Sequence, residues 1–187
     1  MILLESNQTT ILSLLKDEPE ALRTFLCESD FFTAPCSRSH HLAERGGLAQ
    51  HSLNVYYELD KLDDFVRPVV SLCHDLCKAN FYGIEKANRK INPQDSRSGW
   101  ESYDRYCVKD QNPIGHGEKS VILLLRLGVQ LSDDEIAAIR WHMGAWDVQG
   151  NYGAAAALSA AQAKWPLVTL LHVADMMAAH IVERSDA

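Results

Sequence analysis

Val69-Val-Ser-Leu-Cys73-His74-Asp75-Leu-Cys77-Lys78 carries an apolar run directly into an adjacent histidine and aspartate. The pattern predicts a helix from about Asp64 to Lys78, and its apolar composition predicts burial. An imidazole and a carboxylate in such a place are costly unless they are hydrogen-bonded, paired or bound to a metal. Neighbours on a helix point about 100° apart. Both therefore reach one centre only near a helix end, or if the carboxylate bridges two ions.

The same conflict recurs on either side of this segment. A helix predicted from near Leu48 has the apolar stripe Leu48, Val55, Leu59 and Leu62, and His51 falls on it. His116 sits at the Gly-flanked start of a helix predicted over Gly117 to Leu127. Ser132-Asp-Asp-Glu135 reads as a capping box opening a further helix, in which His142 follows Ile139 by three residues. Asp175 lies between Val168, Leu171 and Val182 on a last helix that Pro166 opens and that runs to about Arg184. Six such residues on five helices, if the faces bundle inward, offer four imidazoles and two carboxylates. That set suits Mn, Fe, Co, Ni or Zn rather than Ca.

The remaining chain is also mostly helical by pattern. Thr9 to Leu15 is a short apolar-periodic segment, Asp17-Glu-Pro-Glu20 opens a helix to about Glu28, and an Ala-rich helix covers Tyr152 to Ala163. Ser29 to Arg45, with Pro35, His40 and His41, reads as a loop that Gly46-Gly47 closes. Phe81 to Lys109 alternates on both sides of Asn92-Pro-Gln-Asp-Ser-Arg-Ser-Gly99, as a two-stranded hairpin with a long turn does. The fold class expected is all-α, a helical bundle with a small β-hairpin insertion at 81–109 and an N-terminal helical extension at 1–36, in one domain over 1–187.

Composition narrows the function classes. A chain of 187 residues, 47% hydrophobic and 23% charged, has the make-up of one globular domain rather than of a disordered or collagenous chain. No apolar run approaches the roughly 20 residues of a membrane span. The start, Met1-Ile-Leu-Leu-Glu-Ser-Asn, lacks the basic and long apolar regions of a signal peptide, and five cysteines without CxxC spacing suit free thiols; the expectation is a cytoplasmic protein. A net charge of -7 opposes tight binding to long nucleic acid. The charge is uneven, because the hairpin holds Lys86, Arg89, Lys90, Arg97, Arg105 and Lys109 against Glu85, Asp95, Glu101 and Asp104. Its surplus suits either a phosphate-facing flap or an ordinary solvated hairpin.

Taken in order, Gly46-Gly-Leu-Ala-Gln-His51-Ser-Leu-Asn-Val55, Leu72-Cys-His74-Asp75-Leu-Cys-Lys78, His116-Gly-Glu-Lys119-Ser, Arg140-Trp-His142 and His172-Val-Ala-Asp175 resemble the HD-domain superfamily of metal-dependent phosphohydrolases. The likeness is to its two-metal H…HD…H…H…D subgroup and spans about Ser37 to Ala178. It implies an HD-type bundle in which His51, His74 and Asp175 hold one divalent ion, His116 and His142 the other, and Asp75 bridges them. The cofactor implied is a divalent transition metal, in two ions. The substrate implied is a small phosphate ester, a nucleotide or a short oligonucleotide. A few HD-fold proteins with the same ligands are di-iron oxygenases, and a nucleotide-sensing domain without turnover is a third reading.

Lys78, at i+3 from Asp75, is expected to meet a phosphate oxygen or position the nucleophile, and its alternative task is to meet a helix C-terminus. His41 corresponds to a histidine that often precedes the Gly-Gly in similar sequences; it and Lys119 are candidate substrate contacts. His172 is placed to hydrogen-bond Asp175, Trp141 and Trp146 to wall a base-binding pocket, and Cys73 and Cys77 to be ordinary buried thiols. His40 and His180 are read as surface residues.

Overall fold

The computed structural model describes residues 2–184. Eight α-helices, among these residues, surround one contiguous apolar core: α1 (Leu4–Leu14), α2 (Glu20–Glu28), α3 (Gly47–Leu62), α4 (Pro68–Leu72), α5 (His116–Arg126), α6 (Asp133–Trp141), α7 (Tyr152–Lys164) and α8 (Pro166–Met177). Strands β1 (Tyr82–Lys90) and β2 (Trp100–Val108) form an antiparallel hairpin, with Tyr82 opposite Val108 and Lys90 opposite Trp100. A mostly helical bundle with a small hairpin is thus what the chain adopts. No single helix among the described residues is long and apolar enough to cross a membrane; only α7 with the segment through Val182, bent by 106°, passes by length and composition.

Core residues come from nearly every helix: Ile11 from α1, Leu22 and Leu26 from α2, Leu48, Val55 and Leu59 from α3, Leu124 from α5, Ile139 from α6, Val168 and Leu171 from α8. Leu62, expected on the buried stripe of α3, is exposed at the helix end, and Val182 is half exposed. The first helix begins five residues before the predicted start. The capping box is present as read, with Ser132 and Glu135 exchanging side-chain to backbone hydrogen bonds. Glu135 also pairs with Arg67 at 3.0 Å, and Arg67 reaches Glu18 at 2.6 Å, so one guanidinium ties the α1–α2 turn to the start of α6.

Two predicted helices are shorter than expected, and both differences matter for the site. The helix expected over Asp64 to Lys78 is the five-residue α4 followed by a 3-10 turn, Leu76–Lys78. The last helix ends at Met177 and passes into a wider π-turn, Ala178–Val182. Wider turns of this kind re-aim the residues that follow.

The segment 29–45 has no helix or strand but is packed rather than loose, with Phe31, Ala34 and Cys36 buried. Its backbone is tied down by Cys36 N–H donating to Leu42 O at 3.0 Å and Leu48 N–H to Ala34 O at 3.0 Å. Gly47 permits this, since a Cβ there would overlap the carbonyl oxygen of Leu42.

The hairpin stands off the body, with Ile84, Ile91, Trp100 and Val108 exposed. Three ion pairs cross the strands, Lys86 with Asp104 at 2.8 Å, Arg89 with Glu101 at 2.6 Å and Arg105 with Glu85 at 2.7 Å, each directly opposite in register, while Lys90, Arg97 and Lys109 have no ion pair among the described residues.

Helices α5 and α6 meet at Gly117, whose missing Cβ would overlap the carbonyl oxygens of Ile139 and Arg140. This close approach sets His116 beside His142. Gly117→Ala should destabilise the fold by about 1–3 kcal/mol through overpacking. Chemical denaturation of the variant against the parent chain reads the loss.

Candidate metal centre

The site begins with how His74 and Asp75 are presented. Helix α4 stops at Leu72, and the His74 ring Nδ1–H donates to the Ser71 carbonyl at 2.6 Å, an acceptor that a continuing helix would give to the backbone. The chain then turns through i→i−3 bonds, with Leu76 N–H on Cys73 O and Lys78 N–H on Asp75 O. A helix end is one of the two conditions under which adjacent residues face one centre, and it is met here. His142 repeats the device. Helix α6 ends at Trp141, and His142 Nδ1–H donates to Ile139 O at 2.7 Å, again three residues back.

In both histidines the other nitrogen, Nε2, is buried and has no hydrogen-bond partner among the described residues. These two atoms point into the same space as His51 Nε2. His51 has its Nδ1 held by Glu183 Oε1 at 2.9 Å, and Glu183 also accepts from Asn54 Nδ2 at 2.9 Å. Three imidazoles, each with Nδ1 fixed on an oxygen and Nε2 turned inward, form the arrangement in which outer hydrogen bonds orient metal-binding histidines.

Asp75, 2% exposed, stands at the middle. Its Oδ1 lies 2.6 Å from His116 Nε2 and 3.4 Å from His142 Nε2. Its Oδ2 lies 2.6 Å from Lys78 Nζ, 3.6 Å from His74 Nε2 and 3.9 Å from His51 Nε2. Asp175 Oδ1 completes that second side, 3.1 Å from His51 Nε2 and 4.0 Å from His74 Nε2. All six residues expected to meet are together. His51, His74 and Asp175 form one group able to hold an ion; His74, Asp75 and His142 form another, and Asp75, Cys77 and His116 a third.

Electrostatics follow from the burial. Burial alone would raise the Asp75 carboxyl, but Lys78, His74 and His116 hold it well below the usual carboxylate range. Asp175 is likewise depressed, against its burial, by His51 and His74. Burial carries His74 down to about 4, so that it stands as a neutral donor. Burial would lower His51 too, yet Cys36, Asp175 and Glu183 around it lift it well above its ordinary value. Two carboxylates, Asp75 and Asp175, line the site with Lys78 and the raised His51 ring, and Glu183 stands behind that ring on its Nδ1.

The site opens on a cavity of about 610 Å³ whose walls include His41, Lys78, Met143, Trp146, His172 and Met176. His40 and His180, read as surface residues, line it as well, and so does Trp146, whereas Trp141 does not and instead lies under Arg140. His172 donates to His142 O at 2.6 Å rather than to Asp175, buttressing the His142 turn. Lys119 is not placed at this cavity. It is buried, pairs with Asp110 at 2.5 Å and lines a separate cleft with Phe81 and Cys77, so its expected contact with substrate finds no support in its position.

Two residues of the site, Glu183 and Cys36, escaped the sequence reading. Glu183 falls inside the last helix as expected from the sequence, but that helix ends at Met177 and the π-turn Ala178–Val182 carries Glu183 back to His51. Cys36 lies in a segment without period; His41 Nε2 is 3.3 Å from its sulfur and Lys78 Nζ 3.7 Å. Burial would raise its thiol, but His51, Lys78 and His41 bring it down to about 7. Cys77 is a buried thiol as expected, pushed up to about 12 by burial and Asp75, and it also touches His116 Nδ1 at 3.2 Å. Cys73 is packed in the core and has no such contact with the cluster.

Compared with protein-family models, with curated proteins and with solved structures, the chain finds no match.

Glu183→Gln keeps the shape of the side chain but weakens its hold on the His51 ring. Divalent-ion affinity should fall by about 10–100-fold, the usual effect of losing such an outer partner. Titration with Mn²⁺ or Zn²⁺ followed by calorimetry measures it, with far-ultraviolet circular dichroism confirming the fold.

Proposed function

We propose that the chain is a metal-dependent phosphohydrolase of HD type that cleaves a phosphate ester, a nucleotide or the end of a short oligonucleotide, with two divalent transition-metal ions. The observation that carries this reading is the division of labour at Asp75, whose two oxygens face two different sets of imidazoles. His51, His74 and Asp175 would hold one ion, His116 and His142 the other, and Asp75 both. The chemistry that such a pair supplies is activation of a water near neutral pH and stabilisation of the attacking and leaving oxygens at phosphorus.

The protein's own residues do the rest. Glu183, Ser71 O and Ile139 O fix the rings, so no reorganisation is needed when charge develops. Lys78 reaches the cavity from the Asp75 side, where its ammonium meets a phosphate oxygen. The exposed Trp146 ring at the rim offers a stacking face for a base, and Met143 and Met176 supply an apolar wall. The cavity volume suits a small substrate and the net charge of -7 disfavours a long one.

Elemental analysis of the purified chain, with phosphate release across nucleoside mono-, di- and triphosphates, cyclic nucleotides and short oligonucleotides in Mn²⁺, tests the reading. Asp75→Ala should lower metal content and reduce hydrolysis to background while helicity is nearly unchanged. Oxygen uptake with Fe²⁺ and no phosphate release from any substrate would overturn the proposal.

A further inference from the structure

Cys36 is fully buried, yet it lies outside the contiguous apolar cluster. Its sulfur faces polar groups instead: His41 Nε2 at 3.3 Å and Lys78 Nζ at 3.7 Å. Ligand atoms of Cys36, His41 and His51 all lie within 4.8 Å of one another. The backbone under the sulfur is fixed, since Cys36 N–H donates to Leu42 O and Cys36 O accepts from the Tyr82 hydroxyl at 3.3 Å. These three residues come from two places, the packed segment before α3 and the buried face of α3.

Resting on the reading of the His/Asp cluster as a metal centre, we infer that Cys36 and His41 extend the ligand shell on the His51 side. A thiophilic divalent ion bound there takes the Cys36 sulfur as a ligand. The geometry is close to what this requires. Zinc bonds of about 2.3 Å to sulfur and 2.0–2.1 Å to nitrogen, at a tetrahedral angle, separate the two donors by about 3.6 Å, and Sγ and Nε2 stand 3.3 Å apart. On binding, a metal–sulfur bond forms and the thiol proton leaves to solvent, with no change of oxidation state.

Sulfur stands on both sides of the cluster: Cys36 groups with His41 and His51, and Cys77 with Asp75 and His116, its sulfur 3.2 Å from Nδ1 and 4.0 Å from Nε2 of that ring. Thiolate selects zinc or cobalt over manganese or magnesium, so an ion bound through Cys36 should be one of the former. Such binding also gives His41 a task other than the substrate contact expected of it.

Cobalt(II) and zinc(II) titrations of the full chain test this. Cobalt should bind with a near-ultraviolet thiolate-to-cobalt charge-transfer band, lost in Cys36→Ser and in Cys36→Ala, kept in Cys77→Ser, and saturating at a higher cobalt concentration in His41→Ala. X-ray absorption of the zinc-loaded parent chain, which needs no variant, should show a sulfur at about 2.3 Å. Cobalt binding without the band, a zinc shell of nitrogen and oxygen alone, or a band that follows Cys77 would each overturn the Cys36 assignment and leave the metal centre standing. Failure to bind cobalt or zinc at all would overturn both.

Discussion

One buried carboxylate organises this molecule. Asp75 is almost wholly removed from water, and a charge in that position is tolerated only where every lone pair finds a partner. His116 pairs with one oxygen and Lys78 with the other, each at 2.6 Å, while the Nε2 atoms of His142 and His74 face the same two oxygens at 3.4 and 3.6 Å without a hydrogen bond. These residues come from α5, the end of α6, the 3-10 turn and the break after α4. Packing those elements around a single charge fixes their relative placement more narrowly than apolar contacts alone, which tolerate sliding and repacking.

The histidines are made rigid by a local competition. In His74 and His142 the side chain takes the carbonyl three residues back, and in doing so ends its own helix. The same hydrogen bond therefore performs two tasks, terminating α4 and α6 and locking the ring so that Nε2 faces the centre. His51 lies inside a helix, where no such carbonyl is free, and it recruits Glu183 from the other end of the chain instead. Close approach of α5 to α6 at Gly117 completes the arrangement by bringing His116 to the same carboxylate.

The sequence made the inward-facing ligands legible because polar residues on apolar stripes contradict the pattern around them. His51, His142 and Asp175 announced themselves in this way, and the hairpin was readable from its alternation and turn. Helix lengths were less legible. Apolar periodicity runs smoothly through Cys73 and Lys78, and nothing in it registers that a side-chain bond to Ser71 O outcompetes the backbone. Glu183 and Cys36 stayed hidden for a related reason: a π-turn and an aperiodic packed segment position them, and neither leaves a periodic trace. A buried Lys119 was also unreadable, since its partner Asp110 lies in a connection without regular structure.

The contact between His51 and Glu183 spans 132 residues of chain. Such long-range closure is slow relative to the forming of the helices it joins. On a ribosome adding about 5–20 residues per second, Glu183 follows His51 by on the order of ten seconds. Throughout that interval the histidine is present, but the carboxylate that orients its ring has not been made. The order of assembly is thereby set by chemistry as well as by topology: the cage is closed by its last-synthesised corner, and the centre reaches its final geometry only once residue 183 has been made.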